Sequence, residues 1–142
     1  MMRKKLLILV LLMLPFSISA QEKKFDWTPV MNAIIKVESQ GNAKAHNPVG
    51  DCAGILQITP GLVRACNNIL KQKKSTKRYT LSDRYNASKS KEMFILMQET
   101  YNPEHNVEKA IRCWNSGFGK GWQDKSTGYL KKVLRHYKKE AE

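Results

Sequence analysis

The chain has 142 residues and a formal net charge of +13, with 42% hydrophobic residues, three cysteines and three histidines. That length suits one compact domain with its own core. The charge points to three classes of partner: nucleic acid, anionic lipid, or an anionic polymer of a cell envelope. The basic residues are not interleaved with aromatics as in a nucleic-acid-reading motif, so nucleic acid is not expected as a partner. Three cysteines and three histidines at dispersed spacings do not make a zinc site.

In chain order, residues 1–20 have the layout of a secretory signal. Arg3, Lys4 and Lys5 come first, then the apolar run from Leu6 to Phe16, then Ser17-Ile18-Ser19-Ala20. The apolar run is too short to span a bilayer as an ordinary helix, so no membrane insertion is expected once it is removed. No cysteine follows the expected cut, and a lipid anchor is not suggested. Residues 21–142 then form the mature domain, exported to a periplasm or beyond. In an oxidising compartment, one disulfide among Cys52, Cys66 and Cys113 is plausible, with one thiol left over.

The first helix is expected from Thr28-Pro29, a capping hydroxyl followed by a proline that costs nothing in the first turn. At about 100° per residue, Val30, Met31, Ile34, Ile35 and Val37 fall on one side, and Asn32, Lys36 and Ser39 on the other. Glu38 lies near the middle of the apolar stripe, and Gly41-Asn42 must end the helix soon after. A carboxylate there is resisted by burial and by the negative helix C-terminus, and both raise its pKa. A raised carboxyl pKa suits a general acid near neutral pH. A glutamate paired with a buried arginine, or curled out to solvent, fits the spacing as well.

Residues 41–59, GNAKAHNPVGDCAGILQIT, carry turn chemistry at Asn47-Pro48 and Gly50-Asp51 and read as a loop with at most a two-stranded hairpin. Thr59-Pro60 opens a second helix to about Leu70, with Cys66 on its apolar face. Lys71 to Lys91 is rich in lysine and reads as a solvated basic loop or, less simply, a flap over substrate. Ser88 or Ser90 could cap a third helix that buries Met93, Phe94, Leu96, Met97 and Tyr101. After Asn102-Pro103, a fourth helix to about Asn115 turns Val107, Ala110, Ile111 and Trp114 inward. The glycines of Ser116 to Gly121 match no phosphate loop. The last helix, from about Gly128 to Lys139, points Tyr129, Leu130, Val133, Leu134 and Tyr137 inward. The fold expected is mainly α: one domain of about five helices with at most a small β-hairpin.

Three stretches arrive in fixed order: Glu38-Ser39 closing a helix, Gly54-Ile55-Leu56-Gln57-Ile58, and Trp114-Asn115-Ser116-Gly117. With Tyr129 in the closing helix, the chain resembles the lytic transglycosylase domain of the soluble (SLT) type, within the lysozyme-like superfamily. The resemblance spans roughly Trp27 to Tyr137. It implies that Glu38 is the catalytic residue and that Ser39 hydrogen-bonds near it. Gln57, with Ile58 beside it, Trp114 and Asn115 would line the sugar cleft, and Tyr129 would bond the catalytic carboxyl. Tryptophan stands at 114 where the family has tyrosine, which removes a hydroxyl and adds a larger stacking face.

The implied substrate is the peptidoglycan glycan strand, cleaved between N-acetylmuramic acid and N-acetylglucosamine with closure of a 1,6-anhydro ring, by a monomer without metal or organic cofactor. Such a domain could also serve an envelope-spanning secretion or conjugation apparatus. Two other readings stay open from the residues: hydrolysis by the same Glu38, as in a lysozyme, and a wall-binding module that does not cleave.

Overall fold

The computed structural model describes residues 23–140. The expected signal segment, residues 1–20, lies outside the described residues. Five α-helices carry the fold: α1 (Thr28–Glu38), α2 (Pro60–Gln72), α3 (Ala87–Tyr101), α4 (Val107–Ser116) and α5 (Thr127–Glu140). Two short 3-10 turns, Leu81–Tyr85 and Trp122–Asp124, precede α3 and α5. The only sheet among the described residues pairs β1 (His46–Asn47) with β2 (Cys52–Ala53), antiparallel, with His46 opposite Ala53. The mainly α architecture with one small hairpin is therefore as the sequence implies. No described helix is long and apolar enough to cross a membrane.

Short polar side chains set the helix starts. Thr59 accepts from the Leu62 amide at 3.2 Å and opens α2, as its position before Pro60 predicts. Asn106 does the same for α4 through the Lys109 amide at 2.9 Å. Two expected caps are corrected. The Thr28 hydroxyl does not cap α1; instead Asp26 accepts from the Thr28 amide at 2.9 Å. Asn86, not Ser88 or Ser90, caps α3 through the Lys89 amide at 3.0 Å. Ser90 is buried and donates to the Arg84 carbonyl at 2.9 Å.

α1 lies along α5, α4 also packs on α5, and α2 packs on α3. Val30, Met31, Ala33 and Ile34 are the buried residues of α1, and they meet Leu56, Ile58, Met93, Phe94, Ile111 and Val133 in one core. Phe94 is completely enclosed, and burying a side chain of this kind stabilises the fold by about 1.5–3 kcal/mol. Tyr101 departs from its expected inward position: it is exposed, with its ring 5.5 Å from that of Phe118. Its place at the end of α3 is taken by Gln98, which accepts from the Asn102 amide group at 3.0 Å in the interior.

The basic stretch from Lys71 to Lys91 is not a free loop. α2 extends into it as far as Gln72. The Asn67 side chain then grips the backbone of buried Tyr79 through two 2.8 Å bonds. Most of the lysines face solvent, but Arg84 is buried and donates to the carbonyls of Leu81 (2.9 Å), Asp51 (2.6 Å) and Ile58 (3.2 Å). The Arg84 carbonyl in turn presses on Gly54, where an added Cβ would come within 1.7 Å of it. Gly54 also sits at φ +79°, so both space and backbone require glycine there.

The cysteines do not pair. Cys66 is enclosed in the core and its thiol faces the Met93 carbonyl at 3.8 Å. Cys113 is buried on α4, and Cys52 stands half-exposed on β2. The expected disulfide is therefore not formed, and all three thiols are free.

Candidate active site

Glu38 is the last residue of α1, and the Ser39 amide closes that helix on the Ile35 carbonyl at 3.0 Å. The chain leaves the helix at once through Gln40 and Gly41, both at positive φ. Glu38 is thereby left half-buried at the helix end, where its side chain meets α5. The Tyr129 hydroxyl donates to Glu38 Oε1 at 2.6 Å, a bond that joins residues 91 positions apart.

Burial pushes the Glu38 carboxyl above its ordinary value, while the tyrosine bond pulls the other way. Burial and the neighbouring carboxylate drive the Tyr129 phenol far upward, so that it remains a donor at any physiological pH. No cation contributes to either shift. The outcome is a carboxyl group biased toward holding its proton, with a fixed donor that steadies the anion whenever the proton leaves.

A cleft of about 280 Å³ opens over this glutamate. Glu38, Gln57, Trp114 and Asn115 line it, together with Asn47, Cys52, Thr59 and Leu62. Gln57 comes from the turn after the hairpin and sits at φ +50°, an uncommon backbone for a residue other than glycine or asparagine. Its amide nitrogen is occupied by the carbonyls of Gly54 (3.0 Å) and Ala45 (3.3 Å). Its Oε1 has no partner among the described residues and is the acceptor left for a ligand. Trp114 donates its indole N–H to the Leu56 carbonyl at 3.1 Å and packs its ring 4.9 Å from that of Phe94. One part of that indole is therefore structural, and the rest faces the cleft. Asn115 accepts from the Ser126 hydroxyl at 2.7 Å, which fixes its amide and leaves its NH₂ as a donor.

Of the residues expected at the site, Glu38, Gln57, Trp114 and Asn115 thus share one cleft, and Tyr129 stands behind Glu38. Ser39 and Ile58 do not line it. The Ser39 hydroxyl donates to the Ile55 carbonyl at 2.7 Å and accepts from the Gly41 amide at 3.2 Å, so it clamps the end of α1 to the Gln57 turn. The Ile58 side chain is completely enclosed in the core, and its carbonyl accepts from Arg84 and from the Ala53 amide. Asn47, Cys52, Thr59 and Leu62 were not singled out as cleft residues by the sequence. The Asn47-Pro48 turn and the Thr59 cap have local signatures of their own, which mask any second use. Among the described residues, no group of three histidine, cysteine or acidic side chains is placed to hold a metal.

A helix bundle with a small hairpin, and a lone helix-terminal glutamate in the cleft between them, is the arrangement of the lysozyme-like superfamily. The family comparison is more specific. The family model described as the transglycosylase SLT domain matches residues 15–136, and the chain belongs to that family. A search of curated proteins and a search of solved structures gave no match.

Proposed function

We propose that the protein is a peptidoglycan lytic transglycosylase that cleaves the β-1,4 bond from N-acetylmuramic acid to N-acetylglucosamine, with Glu38 as general acid and then general base. The observation that carries this reading is that Glu38 is the one carboxylate, among the described residues, that lines the cleft, and burial keeps it biased toward the protonated form. Glycoside hydrolysis ordinarily uses two carboxylates across the scissile bond, one of them to activate water or attack the sugar. The nearest other candidate, Asp51, is committed to His46 at 2.8 Å and to Arg84. The His46 bond, then the Arg84 charge, hold it below the usual carboxylate range, and it does not line the cleft.

In the proposed reaction, Glu38 gives its proton to the glycosidic oxygen as the bond to C1 breaks. The resulting carboxylate, steadied by the Tyr129 hydroxyl, removes the proton of the C6 hydroxyl, whose oxygen closes onto C1. Glu38 ends protonated, and the proton count balances without water. The nucleophile belongs to the same sugar, so its effective concentration is high. Gln57 Oε1, the Asn115 NH₂ and the free face of Trp114 are the contacts that would hold the sugars. Residues 1–20 are read as the signal that exports a monomeric enzyme to the wall, where an envelope-spanning apparatus would be its client.

The test incubates the protein and its Glu38→Gln variant with peptidoglycan and weighs the products by mass spectrometry. Muropeptides one water lighter than hydrolysis products, lost in the variant, are expected. Reducing-end products lost in the variant would establish a lysozyme instead. Firm pelleting with the wall and no release by either protein would leave a binding module.

A further inference from the structure

α1 and α5 meet along a second groove, of about 530 Å³, lined by Lys36, Val37, Gln40, Lys132, Arg135 and His136. It shares no residue with the cleft over Glu38. Lys36 precedes Glu38 by two residues, about 200° around the helix, so the two openings take different sides of α1. The groove is cationic and, among the described residues, no carboxylate lines it.

Its charges are not neutralised by neighbours, as several others on this surface are. On the α3 and α4 side of the molecule, three lysines have acidic partners: Lys77 with Glu92, Lys89 with Asp83 at 2.8 Å, and Lys109 with Glu104 at 2.6 Å. Arg112 likewise meets Glu108 at 2.7 Å. Lys36, Lys132 and Arg135 have no such partner among the described residues, and all three are exposed. Like charges gathered in a concave site repel one another, and low-dielectric walls focus their field outward. Nothing in the packing of α1 on α5 requires them, because Val30, Ile34, Leu130 and Val133 already supply buried apolar contact. A groove this large, with several separated cations, suits a chain bearing repeated anionic groups better than a single small ion.

We propose that this groove is a second wall-binding site that takes the carboxylate-bearing peptide stems of peptidoglycan strands the enzyme is not cleaving. The inference rests on the wall being the substrate. It supplies the site with its ligand: an insoluble polymer that carries carboxylates at every repeat surrounds the enzyme while one strand occupies the cleft. Binding there holds the protein on the surface between cleavage events, and the dependence is electrostatic.

The experiment sediments the full chain, carrying Glu38→Gln to prevent turnover, with intact sacculi and with sacculi whose free stem carboxylates have been converted to amides by carbodiimide and ammonia, which leaves the cross-linked network insoluble. On intact sacculi, adding Lys132→Glu and Arg135→Glu is expected to lower retention about tenfold, and Lys36→Glu, on the other helix, to lower it in the same direction. Amidated sacculi are expected to retain parent and variants equally and weakly. Equal retention of parent on intact and amidated sacculi would overturn the proposal, as would charge-reversed variants that pellet like the parent. If the α5 double variant does not fold, the Lys36→Glu result decides alone.

With Glu38 restored, Lys132→Glu/Arg135→Glu is expected to cleave short soluble glycans at the wild-type rate and to release less from intact sacculi. Stem-dependent retention without any cleavage by wild type would fail the enzyme reading and keep the groove. Cleavage with retention indifferent to stems and charges would do the reverse.

Discussion

Two glutamates in this molecule accept a hydrogen bond from a tyrosine hydroxyl, and they are pushed in opposite directions. Glu38 meets Tyr129 at 2.6 Å and Glu92 meets Tyr79 at 3.1 Å. The Glu38 carboxyl is raised, with burial as the chief cause. The Glu92 carboxyl is lowered, first by its bond from Lys77, which outweighs burial at this α3 position. The tyrosine bond favours the anion in both pairs. What separates them is the cation and the access of water. A Glu–Tyr pair is a surface tie when a lysine joins it, and a proton store when it is enclosed alone.

The comparison is broken most severely by removing the carboxyl group itself. Glu38→Gln is expected to lower turnover by about 10²- to 10⁴-fold, whereas Glu92→Gln leaves it within about twofold; steady-state release of muropeptides measures both. The same variant has a second signature. The folded pKa of Glu38 lies above its unfolded value, so the native state binds the extra proton between the two, and stability falls as pH rises through the folded pKa. Glu38→Gln is therefore expected to melt higher than wild type at pH 7 and to lose that advantage near pH 4, by calorimetry.

A cation supplied to the enclosed pair should turn it toward the surface kind. Leu62 lines the same cleft as Glu38, and Leu62→Lys is expected to move the alkaline limb of the pH–rate profile down by about one unit. Above that limb the variant is expected to be less active than wild type at every pH. Tyr129→Phe acts with the opposite sign: without the bond that favours the carboxylate, the Glu38 pKa rises further and the alkaline limb moves up. Turnover is expected to fall severalfold, since the proton is then harder to release; pH–rate profiles of both variants check the pair of signs.

The smallest effect belongs to the surface pair. The folded pKa of Glu92 lies below its unfolded value, so its stabilisation is present at neutral pH and fades as pH falls through the folded pKa. Because the pair is nearly half-exposed and screened, Lys77→Ala should cost only a few tenths of a kcal/mol at pH 7. Denaturant melts at pH 7 and pH 3 would register that loss at the first and a smaller one at the second.

What was legible in the sequence follows the range of the physics that sets it. The α1 stripe, the Thr59 cap and the hairpin turn depend on neighbours within a few residues. Glu38 stood out because a charged residue interrupts a local apolar period. Ile58 and Ser39 belonged to recognisable stretches, but only packing reveals that one is enclosed and the other clamps the Gln57 turn. Arg84 was hidden in a lysine-rich run. Its burial depends on the carbonyls of Asp51 and Ile58, 33 and 26 residues earlier, which composition cannot register. Tyr101 kept its helical phase, yet the core ends before the last turn of α3, so the phase alone misled.

The unpaired thiols have a practical side. Cys66 and Cys113 are shut inside, and Cys52 alone is half-exposed, on the wall of the cleft. A thiol-reactive fluorophore applied to the folded protein therefore has one address, and no cysteine needs to be engineered in or out. Burial first, then the charge of Glu38, hold the Cys52 thiol above its ordinary value, so labelling calls for a mildly alkaline buffer. The dye would then sit beside the catalytic candidate and report cleft occupancy in real time.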